Sequence, residues 1–141
     1  MRGRGSYLDH LAQVPMFSAC SKKDLQTIGK ASDEVAVTAG KTLVQEGTAG
    51  HEFFLILDGT ARVDVSARKR SRLGPGQYFG EMSLLDGGPR SASVVAETPL
   101  RLLVIKRRDF STLLREATDL TQNLLVTLSH RVRHAEAGLN D

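Results

Sequence analysis

Between Glu34 and Lys106 the chain abandons helical spacing for a series of short runs that are β-branched or alternate between apolar and polar residues. The runs are Val35/Val37, Leu43/Val44, Phe53/Leu55/Leu57, Ala61/Val63/Val65, Val94/Val95 and Leu102/Val104, each too short for a helix and each of strand-forming composition. Turn residues separate them: Gly40, Gly47, Gly50, Asp58-Gly59, Gly74-Pro75-Gly76 and Thr98-Pro99. Many short strands with regular turns predict a small antiparallel barrel or jelly roll.

Helical patterns flank this region. Tyr7, Leu8, Leu11 and Val14 form a short stripe that stops at Pro15, and Ser21-Lys22-Lys23-Asp24 opens a second helix in the manner of a capping box, with Leu25 and Ile28 on one face and Gly29 near its end. After Lys106, helical spacing returns with Phe110, Leu113 and Leu114. Asp119 then reads as the cap of a longer helix whose stripe is Leu120, Leu124, Leu128 and Val132, with Leu125 beside it.

A chain of 141 residues suits one domain, and 40% hydrophobic with 25% charged residues is the composition of a folded soluble protein, not of a disordered one. The net charge of +3 is too small to make nucleic acid the first expectation. Much of it is local, in Arg68, Lys69, Arg70 and Arg72, which read as a solvated hairpin tip ahead of a patch for an acidic partner. Cys20 is the sole cysteine, so an intramolecular disulfide is excluded; it reads as a half-buried small residue before a helix, in agreement with a reducing compartment. Arg2 and Arg4 precede Tyr7, Asp9, His10 and Gln13, with no apolar run for a signal peptide or a membrane span, so a cytoplasmic location is expected.

The chemistry concentrates in Phe79-Gly80-Glu81-Met82-Ser83-Leu84, followed after Leu85-Asp86-Gly87-Gly88-Pro89 by Arg90-Ser91-Ala92. One carboxylate and one guanidinium stand on opposite sides of a glycine-rich turn, with small residues where main-chain N–H groups must approach a ligand. Such a turn suits a sugar phosphate: the carboxylate accepts from hydroxyls, the guanidinium pairs with phosphate, and amides at the start of a helical turn add donors.

These residues, with the earlier stretch Leu43-Val44-Gln45-Glu46-Gly47-Thr48-Ala49-Gly50-His51-Glu52-Phe53-Phe54-Leu55-Ile56-Leu57-Asp58-Gly59, resemble the two signatures of the cyclic nucleotide-binding domain family, which includes bacterial cAMP receptor proteins, kinase regulatory subunits and gated channels. The resemblance implies an α+β fold: an antiparallel β-roll, jelly-roll-like and of the double-stranded β-helix type, with short N-terminal helices and two C-terminal helices. One domain then spans residues 1–141, with helices in 1–30, the β-roll in 34–106 carrying the phosphate-binding cassette at 79–92, and the closing helices in 107–137.

It also implies a regulatory function without catalysis or metal, in which a cyclic nucleotide changes the packing of the last helix and so signals to a protein effector. Arg90 would pair with the phosphate oxygens, helped by the main chain of Ser91 and Ala92 and the Ser91 hydroxyl. Glu81 would accept from the ribose 2′-hydroxyl, and Gly80 would let the main chain approach the sugar. Met82 and Ser83 would continue the short helix, with Leu84 in the core. Val63, Leu73 and Phe79 would wall the base or, equally well, fill the interior of the roll. In this family a threonine directly after the arginine often accompanies cGMP; Ser91 at that position leans towards cAMP. The base lid would come from the region of Arg131 to Glu136, where His130, Arg131, Arg133, His134, Ala135 and Glu136 replace the hydroxyl residues of many bacterial receptors and leave the lid unidentified.

Two readings from other classes compete. A cupin-like metal enzyme would need clustered histidines at strand spacing, and His10, His51, His130 and His134 form no His-x-His pair; His130 and His134 read as a solvated pair near a helix end. A β-roll interaction module without ligand would have no use for Glu81 and Arg90 together. No membrane segment and no DNA-binding domain are expected in this chain, which would be either a free-standing sensor or one domain of a longer protein, with a homodimer through the last helix left open.

Overall fold

A computed structural model describes residues 12, 17, 18, 20–65 and 71–140, the side chains of Met82, Asp86 and 134–140 excepted. The expected stripe of Tyr7 to Val14 and the basic residues Arg68, Lys69 and Arg70 lie outside the described residues. The chain divides into two compact units, residues 31–110 and residues 1–30 with 111–141.

The first unit is the β-roll. Its strands are β1 (Ser32–Val37), β2 (Thr42–Val44), β3 (Glu52–Asp58), β4 (Ala61–Asp64), β5 (Ser71–Leu73), β6 (Tyr78–Phe79), β7 (Ser93–Ala96) and β8 (Leu100–Lys106). They form two four-stranded antiparallel sheets, in the orders β1-β8-β3-β6 and β2-β7-β4-β5, so the fold is α+β with an open roll and not a closed barrel. Phe54, Ile56, Phe79, Leu100, Leu102 and Val104 of the first sheet and Ala61, Val94 and Ala96 of the second are buried in one core.

Strand β3 departs from the alternating pattern its sequence suggested. Phe53 to Leu57 are buried without interruption, although only every second side chain can face the core between the sheets. The other face is covered too: the Phe53 ring stacks on Phe110 with centroids 5.0 Å apart and packs beside Tyr78 at 5.5 Å. A central strand covered on both faces reads as a continuous apolar run. The β3–β4 turn needs Gly59, whose φ of +95° suits no side chain and whose missing Cβ would collide with the Pro99 carbonyl oxygen.

Among the described residues, the helices with defined bounds are α1 (Lys22–Ala31), the short α2 (Glu81–Asp86) inside the roll, α3 (Arg107–Glu116) and α4 (Thr118–Asn140). The expected cap at Ser21 is present: its Oγ accepts from the Asp24 N–H at 3.1 Å, and Leu25 and Ile28 are buried. The expected cap at Asp119 is displaced. Helix α4 starts at Thr118, with only Ala117 between it and the end of α3, and the Thr121 hydroxyl donates to the Leu114 carbonyl at 2.7 Å, satisfying the end of α3 from within α4. Asp119 instead sits in the first turn, where a carboxylate favours the helix dipole. The α4 stripe is buried at Leu120 and Leu124, half-buried at Leu128 and exposed at Val132, with Leu125 and Val126 also exposed. Among the described residues, no helix is long and apolar enough to cross a membrane.

Candidate functional site

Strand β6 ends at Phe79, and Gly80 turns the chain into α2 with φ 93° and ψ −1°. That left-handed conformation favours glycine, and close approach demands it: a Cβ at position 80 would stand 2.7 Å from Arg90 Nη1 and 2.8 Å from the Glu52 carbonyl oxygen. The bare main chain brings the Gly80 carbonyl within reach of Arg90, whose Nη1 donates to it at 2.9 Å while Nη2 donates to the Glu52 carbonyl at 2.7 Å. The guanidinium carbon also lies 6.0 Å from the centroid of the Phe54 ring, which stacks on Phe79 at 4.8 Å. The main chain of Arg90 is held as well. Its N–H donates to the Thr48 carbonyl at 2.7 Å, and its carbonyl accepts from the Gly47 N–H at 2.9 Å.

Arg90, Glu81 and Ser83 are the buried polar side chains of the described residues, at 6%, 3% and 2% exposure. Burial lowers the pKa of Arg90, opposed by the nearby charges of Glu52 and Glu81. Arginine keeps its proton through such a shift, so the guanidinium is a charged group in a poorly solvated place, clamped by neutral carbonyls and an aromatic face. An anion reaching it would relieve that desolvation. A groove of about 340 Å³ opens beside Arg90, walled by β2, Gln45, Thr48, Ala49, His51 and Glu52.

The structure thus brings Gly80, Glu81, Ser83 and Arg90 together and backs them with Phe79. Ser91 is exposed and Ala92 half-buried, in the bend between Arg90 and β7. Met82 belongs to α2, and Leu84 is buried as expected. Val63 and Leu73 are half-buried against the core from the second sheet, Val63 paired with Val94 and Ser71, and Leu73 with Ala61. What the residue pattern did not single out is the support for Arg90: the carbonyls of Glu52 and Thr48, the Phe54 ring and the loop before β3. Glu52 and Phe54 stand inside the first signature, but a main-chain acceptor has no side-chain type to announce it.

Groups elsewhere are less suited to chemistry. Arg72 pairs with Glu97 at 2.8 Å and Arg62 with Asp64 at 3.0 Å on the outer face of the second sheet. Burial, with Asp24 and Asp119 adding to it, pushes the Cys20 thiol up to about 11, which leaves it protonated and unreactive near neutral pH. Among the described residues, no group of three His, Cys, Asp or Glu side chains is placed to hold a metal ion.

Comparison with known proteins agrees with the residues. The cAMP-dependent protein kinase regulatory subunit of Schizosaccharomyces pombe is 36% identical over 123 residues, a match that takes in 86% of this chain and 30% of the yeast protein. The crystal structure of Thermus thermophilus catabolite activator protein superposes with a TM-score of 0.81 at 31% identity, covering 89% of this chain and 62% of that one. The regulatory subunit of a cAMP-independent protein kinase A from Trypanosoma brucei shares the fold with a TM-score of 0.79 at 24% identity, over 88% of this chain and 45% of that one. This chain therefore spans less than two thirds of each of these relatives. The profile of the cyclic nucleotide-binding domain matches residues 34–117, which hold both the glycine turn and the arginine described above, and the chain belongs to the cyclic nucleotide-binding domain family.

Proposed function

We propose that this chain is a regulatory sensor that binds a cyclic nucleotide reversibly, cAMP in preference to cGMP, and leaves it chemically unchanged. The observation that carries the reading is the buried Glu81 and Arg90 on either side of Gly80. A cyclic phosphate is an anion that needs a cation where water is scarce, and its ribose needs an acceptor a short distance away. Arg90 takes the phosphate, Glu81 the ribose 2′-hydroxyl, and the main chain of Ser91 and Ala92 supplies further donors. Ser91 in place of threonine favours adenine over guanine by the family's pattern. The similarity to a kinase regulatory subunit makes a protein kinase catalytic subunit the leading candidate for the effector.

Calorimetry of the full chain with cAMP and cGMP side by side tests this reading. Saturable binding of both, tighter for cAMP, with the nucleotide recovered intact by chromatography after prolonged incubation, is the expected result. Absence of heat with either nucleotide at millimolar concentration would mean that the roll serves as an interaction module without ligand, and recovery of a linear nucleotide would mean that it is an enzyme.

A further inference from the structure

Gly50 is buried, yet its φ lies outside the left-handed region in which six other glycines among the described residues sit. A left-handed backbone is therefore not what reserves this position for glycine. Space is what keeps it bare: a Cβ there would overlap Ser83 Cβ, stand 2.9 Å from Ser83 Oγ and stand 3.0 Å from Arg90 Cζ. Gly50 is therefore the point at which the loop before β3, the cassette helix α2 and the guanidinium of Arg90 meet.

We infer that Gly50 and Ser83 form a matched pair of side-chain volumes that positions Arg90, so that the affinity of the site for a phosphate is set in part by a residue with no side chain. The inference rests on the reading that Arg90 holds the phosphate. Its physical basis is that the crowding has no easy exit. The loop cannot retreat, because Gly47 N–H and the Thr48 carbonyl are bonded to the main chain of Arg90 at 2.9 and 2.7 Å and Ala49 bridges to Pro89. Arg90 cannot move outward without lengthening its bonds to the Gly80 and Glu52 carbonyls, at 2.9 and 2.7 Å. Ser83 is 2% exposed on a helix of six residues, so an added methyl group must push α2, the guanidinium, or both. Volume removed at position 83 should compensate for volume added at position 50, as expected for residues in direct contact.

The test is a double-mutant cycle on the full chain with Gly50→Ala, Ser83→Gly and both together, read by cAMP affinity and by the ¹⁵N–¹H resonance of Arg90 Nε in the unliganded protein. G50A is expected to weaken cAMP binding by about tenfold or more and to shift the Arg90 resonance. The double variant is expected to bind cAMP within about threefold of S83G alone and to return the Arg90 resonance to its position in S83G, a rescue that a general loss of stability would not show. If G50A fails to fold, recovery of a folded, cAMP-binding protein in the double variant supports the pairing, and failure of both overturns it. Affinity and resonance in G50A that match the starting protein also overturn it, as does a double variant no better than G50A. If the starting protein binds no cyclic nucleotide, the functional reading falls, while the resonance arm still reports whether Gly50 positions Arg90.

Discussion

Arg90 donates through both terminal nitrogens to main-chain carbonyls and is buried beside the Phe54 ring, so its removal disturbs two things at once. Ligand loses its cation, and truncating one partner of a buried charge pair costs about 2–5 kcal/mol, which is roughly 30-fold to several thousandfold in affinity. The unliganded protein also loses the donors to Gly80 and Glu52, at about 1–3 kcal/mol for each carbonyl left unsatisfied. Arg90→Ala is expected to show both losses, by calorimetry and by urea unfolding, and Glu81→Ala a smaller loss of affinity; near-normal binding by Arg90→Ala would place the phosphate elsewhere. Arg90→Lys should not restore binding, since an ammonium cannot make both carbonyl bonds and present a planar fork to phosphate. Cys20 gives a prediction of a different kind. With its thiol pushed up to about 11, the folded state holds its proton more tightly than the unfolded chain does. The linked stability is therefore present below the unfolded thiol's range and is lost as pH rises through that value. Reaction of the native protein with a disulfide reagent at pH 8 is expected to be slower than that of the urea-unfolded chain by about tenfold or more, since the loss of thiolate outweighs the stronger nucleophilicity of the remaining thiolate; equal rates would show that the site is open.

Turns and caps tie these residues to their elements. Gly59 joins β3 to β4 with φ +95° and with the Pro99 carbonyl where a Cβ would be, so Gly59→Ala carries both a conformational and a steric penalty. A loss of about 2 kcal/mol or more is expected in urea unfolding, and a loss below about 0.5 kcal/mol, the range of neutral surface changes, would show that the turn relaxes freely. The same scale shows what local pattern could and could not foretell. Ser21 was legible as a helix start because its hydroxyl acts on the amide three residues on. Asp119 was misplaced as a cap by two positions because the start of α4 follows from the end of α3 and the Thr121 bond to Leu114, contacts that a capping pattern does not contain. The full burial of β3 was hidden for a similar reason: the residue that covers its second face, Phe110, lies far along the chain.

Across the whole molecule the proposed output is the long helix α4. Leu125, Val126 and Val132 are exposed on it while Leu120 and Leu124 are buried, so its later turns are held by less apolar contact than its first turns. Elements of that kind open at lower free energy and are the ones a ligand can shift, within the limit of its differential affinity for the two arrangements. Hydrogen exchange over residues 119–137, with and without cAMP, is expected to show a change in protection. Unchanged exchange in a protein shown to bind cAMP would make α4 a static scaffold and move the output elsewhere.

The sequence by itself determined what acts over a few residues. The strand runs of β1 to β4, β7 and β8, their glycine turns, the Ser21 cap and the order of Gly80, Glu81 and Arg90 along the chain were legible, because a turn, a cap or a charge spacing is encoded by residue types that stand close together; β5 and β6 were too short to stand out. Only the tertiary structure decided which groups hold Arg90, that Glu52 contributes its carbonyl and not its carboxylate to that bond, that Val63 and Leu73 sit on the edge of the core, and that Gly50 is bare for want of room. Main-chain acceptors carry no residue identity, and crowding between positions 50, 83 and 90 exists only once the strands between them have paired.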